Sequence, residues 1–168
     1  MKGTGDYMKK MKYFVLALGI IFLSVYLYQH FIYYMIPFNP IEEYAAESPD
    51  DFHITQNLPD GEKVNAKSHD QKTCDLILEY LSNLKLKPLK DKDARNALAK
   101  KENEAYITGM LKLDQSREIF ISDLFIDDPD VLYISSSIAG FNGEGYYKIV
   151  DSTFDYDYII DLIGNQEE

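Results

Sequence analysis

Four aspartates lie close together in the stretch DLFIDDPD: Asp123, Asp127, Asp128 and Asp130. Carboxylates that converge on one loop could bind Ca²⁺, which takes about six to eight oxygen ligands. The order of an EF-hand loop is missing, because no D-x-D-x-D-G series with a later glutamate is present. Aspartates also stabilise solvated turns through local bonds to the backbone. The sequence leaves both interpretations open, and the turn is the commoner use of such a cluster.

Basic residues concentrate between positions 85 and 101. They are Lys85, Lys87, Lys90, Lys92, Arg95, Lys100 and Lys101. Asp91 and Asp93 are the acidic residues in the same stretch. Such a segment could contact anionic lipid headgroups or an anionic cell-wall polymer. The alternative is that these side chains are solvated and pair weakly with the acidic remainder of the chain.

Nucleophile and phosphate-binding patterns are weak. The glycine-rich run Gly140–Gly145 lies between two predicted strands, so Asn142-Gly143 indicates a two-residue hairpin rather than a phosphate loop. Ser82 and Lys85 match S-x-x-K without its companion motifs. A carboxylate pair of the glycosidase type is conceivable among so many acids, but no spacing singles one out. We therefore predict no catalytic residue and no cofactor.

Two further sets of side chains have competing interpretations. Cys74 is the one cysteine of the chain, which predicts a small core residue rather than a reactive thiol. A group of tyrosines could recognise a partner or pack a helix against a sheet: Tyr146, Tyr147, Tyr156 and Tyr158.

Length limits the number of domains, and charge argues against one class of protein. The chain has 168 residues, which suits one domain, with 17 basic and 28 acidic side chains. Residues 1–39 contain four lysines and one aspartate, so the other 27 acidic residues lie after them. An excess of that sign argues against a nucleic-acid-binding protein, which needs a basic surface to replace counterions on phosphates.

The segment 13–36 is predicted to be a transmembrane helix. Its 24 residues contain no Asp, Glu, Lys or Arg, and Gln29 and His30 are its strongly polar members. At about 1.5 Å per residue it spans roughly 36 Å, enough for a hydrocarbon core of about 30 Å. Pro37 and Pro40 should end the helix.

Charge predicts the orientation of this helix. Lysines precede it, and no Lys or Arg follows until Lys63, so residues 1–12 should be cytoplasmic and the C-terminal part extracellular. The apolar run is longer than the roughly 7–15 residues of a secretory signal, and no small-x-small cleavage site follows it closely. We therefore expect an uncleaved, single-pass signal anchor in the cell membrane. The alternatives are a long cleaved signal peptide and a buried helix of a soluble protein, and the length of the segment argues against the buried helix.

Residues 37–51 are rich in Glu and Asp and contain no base, which predicts an extended acidic stalk before an extracytoplasmic domain at 52–168. The domain should begin with a hairpin, 53–57 with 63–66, around Pro59-Asp60-Gly61. A capping box at Ser68 and Gln71 predicts a helix at 69–83, followed by an edge strand at 84–87. Residues 91–104 fit either a loop or a short exposed helix.

The C-terminal half has strong strand character. Strands are predicted at 106–113, 118–125, 131–135 and 145–150, and then a helix begins near Ser152 or Thr153 and ends at Gly164. Strands that are grouped rather than alternating with helices indicate an α+β fold. We expect an antiparallel meander sheet with two helices packed on one face.

The succession LPDGEKVNA, ILEYLSNLKLKPLK, AYITGML and GYYKIVDS, followed by a short helix, resembles small surface domains of unknown function in Gram-positive bacteria. Such domains follow a signal peptide or a single membrane helix. The similarity covers about residues 52–163 and concerns the pattern of elements, with no diagnostic motif. The chain departs from the lipid-anchored members because it has no cysteine near the apolar segment. The resemblance implies a location and assigns no functional residue.

These features predict a membrane-anchored extracytoplasmic module that binds or regulates a protein or cell-wall partner and is not an enzyme. One alternative is an envelope hydrolase that uses surface carboxylates. Another is an accessory subunit that acts through its transmembrane helix, where Gln29 and His30 would contact other helices.

Overall fold

The computed structural model describes residues 4–99, 101, 104–126 and 129–164, and it divides into two compact units between Ile36 and Pro37. The first unit is helical. Helix α1 covers Thr4–Leu27 and continues as a π-helical turn, Tyr28–Ile32, and a 3₁₀ turn, Tyr33–Met35. Ile36 is already extended, as expected for a residue before proline, so the helix ends where Pro37 predicts.

The stretch Lys10–Met35 has 26 residues and a mean hydropathy of 1.9, and its most apolar window is not buried. It is long and apolar enough to cross a membrane, and an N-terminal signal sequence can also meet this criterion of length and composition. Its one histidine, His30, lies 3.1 Å through Nδ1 from the Tyr26 carbonyl oxygen and stacks on the Tyr26 ring. Local bonding therefore accommodates the polar ring within the helix.

The second unit is α+β, as predicted. Its helices are α2 (Gln71–Asn83), α3 (Asp91–Leu98) and α4 (Tyr156–Gly164). Its strands are β1 (Asp51–Asn57), β2 (Lys63–Ser68), β3 (Leu86–Pro88), β4 (Tyr106–Lys112), β5 (Glu118–Phe125), β6 (Val131–Ser136) and β7 (Gly145–Ile149). All neighbouring strands are antiparallel, in the order β2-β1-β4-β5-β6-β7-β3. Strands β4 to β7 form the predicted meander, and β2 and β3 are the two edges.

One hydrophobic core joins the sheet to α2 and α4. Alternate residues of the strands are buried, because successive side chains of a strand point to opposite faces. Phe52 on β1 lies opposite Leu111 on β4, and both are 1 % exposed. Helix α2 contributes its predicted apolar stripe, including Ile77 and Leu81, and α4 contributes Ile159. Helix α2 contacts β1 and α4, α4 contacts β2, and α3 contacts β7.

The predicted stalk at 37–51 is wrong. Ile41 is 1 % exposed and Tyr44 is 9 % exposed, and both belong to the core. A 3₁₀ turn at Glu42–Tyr44 has three residues per turn, which brings Ile41 and Tyr44 to the same side while the glutamates face solvent. The acidic composition therefore describes the outer side of a packed segment, and the fold begins at Pro37 rather than at residue 52.

Three local predictions are also wrong. Asp70, not Ser68, caps α2: its carboxylate accepts the Thr73 N–H at 2.9 Å. Asp155 does the same for α4, accepting the Tyr158 N–H at 2.9 Å in place of Ser152 or Thr153. An aspartate next to the first turn reaches the free N–H groups directly and adds favourable charge at the helix N-terminus.

The third correction concerns the connection between β6 and β7. It is an eight-residue loop, 137–144, and not a two-residue hairpin at Asn142-Gly143. Gly143 lies against Pro40, where an added Cβ atom would overlap the proline ring. The glycine thus permits a close approach between two segments that are distant in sequence.

Candidate functional site

The aspartates of the predicted calcium site do not form a ligand set in the described part of the chain. Asp123 accepts a hydrogen bond from the Tyr146 hydroxyl at 3.3 Å, whereas Asp130 pairs with the Lys148 ammonium at 3.0 Å. Asp127 and Asp128 lie outside the described residues. Within the described ranges no three Asp, Glu, His or Cys side chains are grouped as metal ligands.

Asp123 instead contacts a pair of tyrosines, Tyr133 and Tyr146, whose rings lie against each other and whose hydroxyls each donate to a carboxylate. Its φ of 58° lies in the left-handed region, which aspartate adopts more readily than most residues. Tyr133 and Tyr146 are opposite each other on β6 and β7, with ring centroids 4.8 Å apart. The Tyr133 hydroxyl donates to Glu144 at 2.8 Å, and this bond raises the pKa of Tyr133 to about 12. Burial, and then the charge of Asp123, raise the pKa of Tyr146.

The structure separates the residues of the predicted basic stretch. Lys85 pairs with Asp151 at 2.9 Å. Lys101 is 8 % exposed, and its ammonium lies 5.2 Å above the centre of the Phe125 ring. Lys100 lies outside the described residues. The remaining members are Lys87 on β3, Lys90 and Lys92 at the start of α3, and Arg95, whose Nε donates to the Asp91 carbonyl at 3.3 Å.

The other sequence candidates have structural roles. Ser82 is 8 % exposed and donates to the Glu79 carbonyl at 2.9 Å, so it does not pair with Lys85 as nucleophile and base. Cys74 is fully buried, and burial raises the pKa of its thiol to about 11. A thiol in that state is not a nucleophile at neutral pH.

An open depression between α2 and the start of α4 is the best candidate site, and we name it the acidic groove. It has a volume of about 650 Å³. Its lining residues are Leu76, Glu79, Tyr80, Asn83, Leu84, Ser152, Thr153, Asp155 and Tyr158. None of these described residues is basic, and two of them, Glu79 and Asp155, are acidic.

The negative charge continues on both sides of the acidic groove. One adjoining depression shares Glu79 and Asn83 with it and adds Asp75 and Glu47. Glu47 is neutralised there by Arg117 at 2.8 Å. The other adjoining depression shares Asp155 and adds Asp157. Carboxylates that share a low-lying surface give it a negative potential, which attracts cations.

Two tyrosines form the aromatic side of the groove. The rings of Tyr80 and Tyr158 are 5.3 Å apart, and Tyr80 also packs edge-on against Phe154. The Tyr80 hydroxyl accepts the Asp155 N–H at 2.6 Å, and burial raises the pKa of Tyr80. Tyr158 remains 40 % exposed. Aromatic faces beside carboxylates suit a cationic ligand such as an ammonium or guanidinium group.

The predicted tyrosine cluster therefore divides among three places. Tyr147 is a core residue at 1 % exposure, and its hydroxyl donates to the Gly143 carbonyl at 2.9 Å. Tyr146 belongs to the pair with Tyr133, Tyr156 packs against the core, and only Tyr158 lies in the groove. Sequence reasoning missed Glu79, Tyr80 and Asn83. These residues lie at helical spacing on the polar side of α2, which was a signal that they share one surface. The spacing did not indicate which residues would form the opposite wall of the groove.

The fold and the site define a small α+β domain behind an apolar helix, with an acidic, aromatic groove at its surface. The chain matches no protein-family model, no curated protein and no solved structure.

Proposed function

We propose that this protein is a membrane-anchored, extracytoplasmic binding module of the bacterial surface-domain kind, and that it is not an enzyme. Its acidic groove takes a cationic segment of a partner protein. The observation that carries this proposal is the pairing of Tyr80 and Tyr158 beside Glu79 and Asp155 in a groove lined, among its described residues, by no base.

The groove would bind through several weak contacts. A lysine or arginine above an exposed tyrosine gains about 0.5–1 kcal/mol. An exposed ion pair with Glu79 adds about 0.2–1 kcal/mol and weakens as salt is added. Main-chain and side-chain oxygens along the groove, including that of Asn83, can accept bonds from the partner. Such a site favours a moderate affinity and a reversible, regulatory interaction.

The anchor is the apolar helix, and its orientation follows from charge. Lys9, Lys10 and Lys12 precede the apolar residues, and cytoplasmic flanks carry the excess of Lys and Arg. The acidic domain then lies outside the cell. The resemblance to Gram-positive surface domains supports the same location.

The groove is tested with the full-length protein in nanodiscs and a fluorescent lysine-rich peptide. We expect binding that weakens with salt and is absent for a glutamate-rich peptide of the same length. Tyr158→Ala and Glu79→Gln should each lower the affinity about two- to fivefold, because each removes up to about 1 kcal/mol. Tyr158→Phe keeps the ring and should retain most of the binding.

The matched control is Glu62→Gln, an exposed glutamate in the turn between β1 and β2. It changes the net charge as Glu79→Gln does but lies outside the groove. Equal losses for Glu62→Gln and Glu79→Gln would attribute binding to the net charge of the domain. That result, or no binding of the lysine-rich peptide, would contradict the proposal.

Glu79 and Asp155 in one groove are the observation that favours an envelope hydrolase as the second candidate function. Against it, the Asp155 carboxylate already accepts the Tyr158 N–H, and the groove is open to water. A hydrolase should release fragments from isolated cell-wall polymer, and Glu79→Gln should abolish that release. A binding module should release none.

A further inference from the structure

Strand β2 is an uncovered edge of the sheet in the described part of the α+β domain. The opposite edge, β3, is three residues long and contains Pro88, and the Phe38 N–H donates to its Leu86 carbonyl at 2.7 Å. Strand β2 has six residues, no proline and a continuous register with β1. A long, regular edge offers unpaired backbone groups to another strand. The fold therefore closes one edge of its sheet and leaves the other available.

The hairpin turn fixes which backbone groups of β2 face outward. The Leu58 N–H donates to the Glu62 carbonyl at 2.9 Å, so these two residues form a hydrogen-bonded pair. Hydrogen-bonded and non-hydrogen-bonded pairs alternate along an antiparallel ladder. The next pair, which contains Lys63, is therefore not hydrogen-bonded, and the same holds for every second pair after it. The N–H and C=O groups of Lys63, Asn65 and Lys67 consequently point away from β1 to the free edge.

Two exposed lysines give this edge a positive charge on one face of the sheet. Lys63 lies across from Asn57 of β1. Lys67 lies across from His53, so no carboxylate of β1 faces either ammonium group. The acidic residue nearest in sequence, Glu62, belongs to the turn before β2. Charge complementarity therefore favours a negatively charged partner strand.

A second copy of the chain does not fit this edge. Two β2 strands paired antiparallel about Asn65 would place Lys63 of each copy opposite Lys67 of the other. Like charges directly opposite each other destabilise a strand pair. In a different strand, carboxylates four positions apart would lie opposite both lysines, because antiparallel partners advance residue for residue.

The other face of β2 is apolar and adjoins α4. Val64 is 49 % exposed, and Ala66 is half-buried against the core. Helix α4 contacts β2, and its Ile160 and Ile163 are also half-buried. An added strand would cover apolar surface on this face, which the hydrophobic effect favours. The partner strand therefore needs apolar residues at the positions next to its carboxylates.

We propose that the edge of β2 binds an extended segment of another protein by β-strand addition. The segment has acidic residues four positions apart, with apolar residues next to them. Main-chain bonds to Lys63, Asn65 and Lys67 pair the two strands, and the two lysines select acidic sequences. This surface is separate from the acidic groove between α2 and α4, and the inference does not depend on the function proposed for that groove.

The test uses the full-length protein in nanodiscs and the capped peptide Thr-Glu-Val-Thr-Val-Glu-Thr. Hydrogen exchange resolved to single residues measures the protection of each backbone amide. Without peptide, the amides of Val64 and Ala66 should be protected by β1, whereas those of Lys63, Asn65 and Lys67 should exchange fast. When the peptide occupies about four-fifths of the sites, these three amides should slow about fivefold, because only the unbound fraction exchanges.

Three control peptides separate strand addition from charge. A peptide with lysines in place of both glutamates should give no protection. A peptide of glutamates alone should give none either, since it lacks the apolar residues and has low strand propensity. The original peptide with N-methyl groups on its glutamates and central threonine keeps its charge but loses the donors that face β2, so it should also fail to protect.

Asn65→Pro is the diagnostic variant. The proline ring replaces an N–H that points away from β1, so the hairpin should fold while its free edge is blocked. Asn65→Ala is the matched control, because it also removes the side-chain bond from Thr55 but keeps the N–H. Lys63→Gln and Lys67→Gln should each lower the peptide affinity about two- to fivefold. Lys72→Gln, at an exposed position of α2, should leave it unchanged.

Absence of binding by the glutamate–valine peptide, or binding that leaves the Asn65 amide unprotected, would overturn the inference. Equal losses in Lys63→Gln and Lys72→Gln would attribute binding to net charge and would also contradict it. Protection that appears without peptide and rises with protein concentration would identify a second copy as the occupant, against the proposal. If Asn65→Pro does not fold, the lysine variants and the N-methylated peptide decide the question.

Discussion

At the scale of single residues, Asn39 joins the segment after the helix to the domain. Its side chain is 7 % exposed, and its amide nitrogen donates to the carbonyls of Leu81, Ser82 and Leu84 at 2.8–3.0 Å. Its side-chain oxygen accepts the Ile41 N–H at 2.9 Å. The last turn of a helix leaves its carbonyls without intrahelical partners. Asn39 is therefore the hydrogen-bond donor for several of those carbonyls at the end of α2.

We predict that Asn39→Ala lowers the free energy of unfolding by about 2–3 kcal/mol, because it leaves buried carbonyls without donors. Asn39→Asp keeps the shape but replaces the donor by a carboxylate among carbonyls, so it should be at least as destabilising. Urea unfolding of the full-length protein in detergent measures both.

Asn96→Ala is the control for Asn39, since Asn96 is exposed on α3. It should change the free energy of unfolding by less than about 0.5 kcal/mol. An Asn39→Ala loss as small as that of Asn96→Ala would contradict the role of Asn39, because water would then replace its hydrogen bonds at no cost.

At the scale of elements, the strands and long helices follow their local patterns, whereas caps and connections do not. Alternating apolar residues predicted β4 and β5 correctly because the sheet buries one of its faces. The capping-box pattern predicted Ser68 as the cap of α2, but Asp70 accepts the Thr73 N–H, and Ser68 instead accepts the Asp70 N–H. The loop 137–144 is longer than its Asn-Gly signal suggested, and Gly143 packs against Pro40 instead of forming a two-residue turn.

We therefore predict that Gly143→Ala lowers the free energy of unfolding by about 1–3 kcal/mol, as overpacking does at a close contact. The added methyl group must push Pro40 away from the loop, so proteases should cleave near residues 37–44 sooner than in the wild type. Thermal unfolding and limited proteolysis measure the two effects.

Gly164→Ala is the matched control, because a Cβ atom there meets nothing within 4 Å. Wild-type stability in Gly143→Ala would show that the loop moves without cost. In that case Pro40 and the loop 137–144 would not be coupled.

At the scale of the whole molecule, charge and hydropathy divide the chain into regions of different composition. The apolar helix has no acidic or basic residue between positions 13 and 36, and the lysines precede it. The domain after it is acidic overall, with 27 of the 28 acidic residues of the chain after residue 39, and carboxylates line the acidic groove. The chain therefore combines an apolar helix with an acidic domain.

We predict that protease added to intact cells degrades the domain but spares an epitope tag placed before residue 1. Neutralising Lys9, Lys10 and Lys12 with glutamine should invert a fraction of the molecules, since those lysines set the orientation. The mass of the membrane-bound protein checks cleavage: an uncleaved anchor retains the full 19.4 kDa. A domain protected in intact cells and degraded only after lysis would contradict the proposed topology.

The sequence by itself determined the apolar helix, the α+β class, and the meander from β4 to β7. Each follows from a local pattern: a long apolar run, alternation along strands, or an apolar stripe on a helix. Only the tertiary structure decided that residues 37–51 pack as part of the domain, because the burial of Ile41 depends on partners far along the chain. The same holds for the acidic groove, whose walls come from α2 and from residues about 75 positions later. Contacts between distant segments depend on how the elements pack around the common core, and no local pattern of side chains specifies that arrangement.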